Sequence, residues 1–257
     1  MTAQFTLARR LQAGEIVHTG WCPLPYPVVA ETLGREGFPA VTLDQQHGMW
    51  DMGATVTGIA AIRQAGAAPI VRIPFGAFAV ASRVLDLGAE GVIAPMINTV
   101  EDARALVEVA KYPPIGERSW GPARAMTLAG MTDPKEYLRD ANALTVAIAM
   151  IETQTALDNL DAIAATEGID VLFVGPSDLS IALTDGKEVE PHSALVEREL
   201  DRVIAAAKKA NKVPGLYCAN ADRAVFAAKR GFRFLAVGSD LTFLRMGAAA
   251  QLKILKS

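Results

Sequence analysis

Eight short apolar runs rich in β-branched residues recur along the chain, and the segments between them carry helical spacing; no other feature restricts the fold as strongly. The runs are IVHTGW (16–21), AVTLD (40–44), PIVRIP (69–74), GVIAPM (91–96), TVAIAMI (145–151), VLFVG (171–175), VPGLYC (213–218) and FLAVG (234–238). Strands this apolar need cover on both faces, which a parallel sheet with right-handed helical crossovers provides. Eight strand–helix units with no break in composition predict a single α/β domain over residues 1–257, a (β/α)8 TIM barrel; a doubly wound open sheet is the alternative. One interval departs from the pattern. KYPPIGERSWGPARAMTLAG (111–130) is rich in Gly, Pro and Arg with little periodicity, and a long loop inside a compact domain predicts a functional one.

Hydrophobic residues make up 51% of the chain and charged ones 21%, enough apolar surface for a large core. The net charge of −3 comes with no Lys/Arg cluster interleaved with aromatics, so nothing supplies the electrostatic footprint of a nucleic-acid partner. The N-terminal MTAQFTLARRLQAG lacks an apolar signal core, and no uncharged apolar run reaches the roughly 18 residues of a membrane span, so no membrane partner is expected. Two cysteines, Cys22 and Cys218, each inside an apolar run, point to a reduced cytoplasmic protein rather than a disulfide scaffold.

Barrel enzymes keep their chemistry on the loops that follow the strands. Those positions hold Trp21, Asp44 with His47, Arg72, Pro95, Glu152, Asp178, Asn220 and Asp240. Glu152 ends the fifth strand and Asp178 follows the sixth; neighbouring parallel strands lie about 4.8 Å apart, so the two carboxylates can share one small cation. Hard oxygen ligands with open positions suit Mg2+ or Mn2+. The same pair reads equally as solvated acids or as a salt bridge with Arg72. Arg72 interrupts the apolar PIVRIP and needs an anionic partner, either those carboxylates or a substrate oxygen. His47, one of three histidines, is structural or catalytic, and Asp86 in RVLDLGAEG is a helix-end charge or the group that orients His47. GPSDLS sets the backbone N–H groups of Ser177 and Asp178 at a helix start, an anion site. No lysine falls at a strand end, which argues against a Schiff-base mechanism, and no GxxxxGK loop occurs. Trp21 packs or walls a pocket.

In this order, DQQH, VRIP, LDLGAEGVIAPMINTVEDA, YPPIGERSWG, IET, GPSDLS and GLYCAN resemble the HpcH/HpaI family of metal-dependent 2-keto-3-deoxy-acid (hydroxy ketoacid) aldolases, from about Trp21 to Asp240. The resemblance implies a TIM barrel of the phosphoenolpyruvate/pyruvate-domain type. It implies an aldehyde-lyase that makes or cleaves 4-hydroxy-2-oxo acids, through a pyruvate or hydroxypyruvate enolate on the metal and an aldehyde. Glu152 and Asp178 would hold Mg2+, Mn2+ or Co2+, and the backbone at Ser177 the substrate carboxylate. His47 with Asp86 would move protons, Arg72 would stabilise the enolate oxygen, and Asp44 would support that network. The resemblance further implies a homohexamer of dimers that exchange the last helix, about Leu241 to Leu255, with Gly116–Arg124 near a neighbour's site. Gln45-Gln46-His47 stands where many relatives carry GEH, and Met150 where many have Gln. Those changes alter pocket polarity, so Trp21, Tyr217 and Cys218 shape the acceptor side. The competing readings are a malyl- or citryl-CoA type lyase, which would need a nucleotide surface, and a non-catalytic barrel, which has no need of His47, Arg72, Glu152 and Asp178 together.

Overall fold

All eight apolar runs form strands in the computed structural model of the protein, which describes residues 5–256. The order is α1 (Leu7–Gln12), β1 (Val17–Cys22), α2 (Pro27–Arg35), β2 (Ala40–Asp44), α3 (Met52–Gln64), β3 (Ala68–Arg72), α4 (Phe78–Asp86) and β4 (Gly91–Ala94). Three helices follow, α5 (Val100–Ala110), α6 (Ala123–Ala129) and α7 (Pro134–Leu144), before β5 (Val146–Ile151), α8 (Gln154–Asp158), α9 (Leu160–Ala164) and β6 (Val171–Val174). The chain ends with α10 (Pro176–Leu183), α11 (Ala194–Lys209), β7 (Val213–Cys218), α12 (Ala221–Arg230), β8 (Phe234–Ser239) and α13 (Asp240–Leu255). Each strand pairs in parallel with its sequence neighbours, and β1 closes on β8, so the sheet is a closed barrel and not an open one.

Side chains alternate across every strand and so build two cores. Outward residues such as Val41, Val71, Ala147, Leu172 and Leu216 pack under the helices. Inward residues, among them Ala40, Ile70, Ile93, Ile148, Phe173 and Phe234, fill the barrel. Thr19 and Thr42 are buried inside it and satisfy one another at 2.8 Å. The end where the strands begin is plugged by α1, whose Leu7 and Leu11 join the interior core. Glu90 holds the plug: its Oε2 accepts from the N–H groups of Thr6 (2.6 Å) and Leu7 (2.8 Å), and its Oε1 faces the buried Arg63 at 3.3 Å. At the same end Lys111 is fully enclosed, donating to the carbonyls of Asn142 and Thr145 and to Asp170. It serves the scaffold, far from the strand exits.

Several helices lie where no spacing announced them, α1, α7 and α6 within 111–130, while α10 begins at the helix start that GPSDLS indicated. Tyr112, Ala125, Met126 and Ala129 from that interval pack with Phe5 and Tyr137 in a third apolar cluster, which is why the segment is ordered without being periodic over its whole length. The TALDNLDAIAA segment is two helices, broken at Asn159, whose Nδ2 donates to the Asn98 carbonyl at 2.9 Å. Cys22 and Cys218 are buried free thiols on outward strand positions. Among the described residues no helix is long and apolar enough to cross a membrane.

Candidate active site

The inward positions nearest the strand exits are where the apolar pattern stops. Above Thr42 comes Asp44 and above Ile70 comes Arg72, in register with each other. The pair is buried and bidentate: Arg72 Nε donates to Asp44 Oδ1 at 2.8 Å and Nη2 to Oδ2 at 2.6 Å. Asp44 also accepts from Trp21 Nε1 (3.2 Å) and from the backbone N–H groups of Gln46 (3.0 Å) and His47 (3.2 Å). Burial alone would raise its carboxyl, but the Arg72 hydrogen bonds and charge, with the His47 N–H and Trp21, outweigh it and hold the group below the ordinary carboxylate range. Within the chain the anionic partner of Arg72 is therefore Asp44 and not the Glu152–Asp178 pair. Its Nη1 makes no hydrogen bond to a described residue, and the guanidinium lies 4.9 Å over the Trp21 ring.

Glu152 follows β5 and is buried. Its Oε1 accepts from the Met96 N–H at 2.8 Å, the one hydrogen bond the carboxylate makes among the described residues. Met96 adopts φ 55°, a left-handed conformation uncommon for a side chain of this kind, in the turn after β4. Burial pushes the Glu152 carboxyl up to about 7; the Met96 N–H opposes this, the charge of Asp178 adds to it, and Arg72 offsets part. Room for the acid is made by Gly175, where a Cβ would sit 2.4 Å from Glu152 Oε2. Asp178 stands exposed in the first turn of α10, near enough for its charge to act on Glu152. Among the described residues no group of three or more His, Cys, Asp or Glu side chains is placed to hold a metal. The donor set is thus two carboxylates, one of them buried against its preference, which matches a hard divalent cation that completes its shell with water and substrate. A cation there would offset the burial that raises Glu152 and the smaller repulsion from Asp178.

A cavity of about 290 Å3 opens between these groups, lined by Trp21, Asp44, His47, Arg72, Ser177, Asp178 and Tyr217 together with Pro23, Met150, Phe173, Gly175, Pro176 and Ser239. Seven of the expected site residues thus meet at one place, with Glu152 against Gly175 at its edge. One wall is aromatic: Trp21 stacks on Phe173 (6.1 Å, 9°) and meets the edge of Tyr217 (5.4 Å, 89°). His47 is exposed on the loop after β2, which Gly48 allows to close, since a Cβ there would lie 2.2 Å from the Asp44 carbonyl and 2.9 Å from Pro23. Phe173, Gly175 and the Met96 N–H were not among the residues expected from sequence. Alternation along VLFV points Phe173 inward, whereas nothing in the sequence announces the turn at Met96.

Asp86 does not join this group. It is the last residue of α4, which runs back from the strand exits, and its Oδ1 accepts from Arg118 Nη2 at 2.5 Å. The expected His47–Asp86 pair is therefore not formed within the chain: a buried arginine with 0% of its side chain exposed claims the carboxylate. Arg118 in turn packs on the Tyr112 ring at 4.7 Å. No residue of 111–130 lines the cavity.

The HpcH/HpaI aldolase/citrate lyase family matches residues 19–246. The hydroxypyruvate/pyruvate aldolase of Rhizorhabdus wittichii is 37% identical over 229 residues, 89% of this chain and 90% of that protein. The 5-keto-4-deoxy-D-glucarate aldolase of Klebsiella pneumoniae is 35% identical over 226 residues, 88% of this chain and 86% of that one. The crystal structure of an HpcH/HpaI aldolase from Desulfitobacterium hafniense superposes with a TM-score of 0.91 at 28% identity, covering 98% of this chain and 97% of the other.

Proposed function

Since the chain belongs to the HpcH/HpaI aldolase/citrate lyase family and is an enzyme of the aldolase type, we propose that it joins the methyl carbon of pyruvate, or the equivalent carbon of hydroxypyruvate, to an aldehyde, and cleaves the 4-hydroxy-2-oxo acid product in reverse. The observation that carries the reading is a buried carboxylate next to a second one, with an arginine that keeps one nitrogen free at the same cavity. Glu152 and Asp178 would hold a divalent cation, Mg2+, Mn2+ or Co2+, which when bound supplies a Lewis acid toward the donor's keto oxygen.

The protein's own groups divide the remaining work. Backbone N–H groups at Ser177 and Asp178, at the start of α10, bind the donor carboxylate. Arg72 offers Nη1 to the oxygen on which negative charge grows when the methyl proton leaves, and Asp44 fixes the guanidinium so that no reorganisation is needed. His47 carries the proton: it takes one from the donor methyl group and returns one to the alkoxide formed when the new carbon–carbon bond closes.

Assembly as a homohexamer, in dimers that exchange α13, belongs to the same proposal. Along α13 only Asp240 is buried, while Leu244 is 65% and Leu255 81% exposed. A groove of about 400 Å3 lined by Phe38, Pro39, Ala221, Ala224, Val225 and Val237 runs along the barrel wall between α2 and α12, where an eighth helix packs in such folds. Asp86 and Arg118 would travel with segment 116–124 to a neighbour's site. Buried free thiols suit the reducing cytoplasm.

The decisive experiment strips metal with a chelator, restores Mg2+, Mn2+ or Co2+, and follows deuterium exchange into the methyl group of pyruvate. Exchange is expected only with metal present. Exchange that ignores the metal would exclude the proposal.

A further inference from the structure

Around the cavity mouth the lining residues fall into two arcs. The charged side chains and the one imidazole come from β2 and its loop, β3 or α10: Asp44, Arg72 and Asp178, with His47. The other arc, formed by β7, β8 and β1, contributes Tyr217, Ser239, Trp21 and Pro23, none of them charged. Donor binding, as proposed above, occupies the first arc, which leaves the second for the aldehyde.

Two of the three polar groups on the second arc are already engaged. Trp21 Nε1 donates to Asp44, and Ser239 Oγ caps α13, accepting from the Thr242 N–H and contacting Thr242 Oγ1 at 3.0 Å. The Tyr217 hydroxyl makes no hydrogen bond to any described residue, although its ring is fixed edge-on against Trp21. Burial raises its phenol above the ordinary range, with Arg72 offsetting part of the rise, so it is a neutral donor and acceptor at working pH. This half-buried hydroxyl lines the cavity with its bonding capacity open, so a ligand that covers it without bonding to it loses the hydrogen bonds it makes to water. No cation remains for a second carboxylate, because two nitrogens of Arg72 are committed to Asp44. An anionic acceptor on the second arc would meet no cationic side chain there.

We propose that Tyr217 is the specificity-determining residue for the acceptor, and that the aldehyde it selects is short, uncharged and hydroxylated rather than a semialdehyde with its own carboxylate. The inference rests on the pyruvate-donor reading.

The test measures kcat/KM with pyruvate and Mg2+ for glycolaldehyde, propanal and succinic semialdehyde, in the unaltered enzyme and in Tyr217→Phe. The unaltered enzyme is expected to rank glycolaldehyde first and succinic semialdehyde last. Tyr217→Phe lowers the glycolaldehyde-to-propanal ratio roughly tenfold, the size expected for one hydrogen bond. A preference for succinic semialdehyde, or a ratio unmoved by the substitution, overturns the assignment. Deuterium exchange in the unaltered enzyme separates the two failures. Metal-dependent exchange without the expected selectivity overturns this inference alone, and absence of exchange overturns the donor reading together with it.

Discussion

Both ends of the barrel bury charge, yet they use it in opposite ways. At the closed end Glu90 gives one oxygen to two N–H groups of α1 and the other to Arg63, and Lys111 places all three of its donors. At the open end Glu152 makes a single hydrogen bond, Arg72 keeps Nη1, and the Tyr217 hydroxyl has no partner among the described residues. A buried polar group whose bonding capacity is spent holds a fold together, whereas one with capacity left is a place for something to bind. Burial by itself does not separate the two roles.

Substitutions at the two ends therefore separate stability from turnover. Glu90→Ala removes the buried carboxylate that faces Arg63 and uncaps α1, so denaturant unfolding is expected to show a loss of about 3–5 kcal/mol, with kcat of the folded enzyme unchanged. A fall in kcat would erase the distinction between the ends. Arg72→Lys keeps a charge beside Asp44 but cannot make the bidentate contact while also presenting a third nitrogen. Steady-state kinetics should show kcat down about 10²–10³-fold with folding retained, the cost of one lost oxyanion donor. Arg72→Ala is a poorer probe, because it would leave Asp44 buried without its counter-ion. Glu152→Gln should weaken Mn2+ binding by about a hundredfold or more in calorimetric titration; unchanged affinity removes this residue from the cation site.

The smallest effect is one of pH. The Glu152 carboxyl is raised from its ordinary 4.5 to about 7, so in the metal-free protein the native state keeps a proton that the unfolded chain has released. Between these values the native state binds more protons, and stability falls as pH rises through the window. Proton and cation compete for the same oxygens, so cation affinity should drop by up to about tenfold per unit below pH 7 and level off above it. Affinity that stays flat from pH 5.5 to 7.5 would mean that the buried acid lies outside the cation site.

The strands were legible because a barrel strand is covered on both faces and must be apolar throughout, as TVAIAMI and VLFVG are. Helices packed on part of a face, such as α6 and α7, escaped because the Gly- and Pro-rich stretch before them hides the period. The site was legible to the extent that strand order dictates it: Asp44, Arg72, Glu152 and Asp178 follow from which residue ends or follows which strand, whereas Tyr217 came only from the family resemblance. What sequence could not supply was the choice of partner. Arg72 had several anions within reach, and register settled on Asp44 one strand away. Asp86 was read with His47, but its helix carries it to the other end and to Arg118.

One carboxylate, Asp44, receives the guanidinium, the Trp21 indole and the turn that carries the imidazole. Arg72 and the His47 turn thus share a single point of alignment, and a change at either will be felt by the other, so double substitutions there should be far from additive. On the roles proposed, innovation would be channelled: the half of the mouth wired to Asp44 would tolerate little drift, and new substrates would be won through β7.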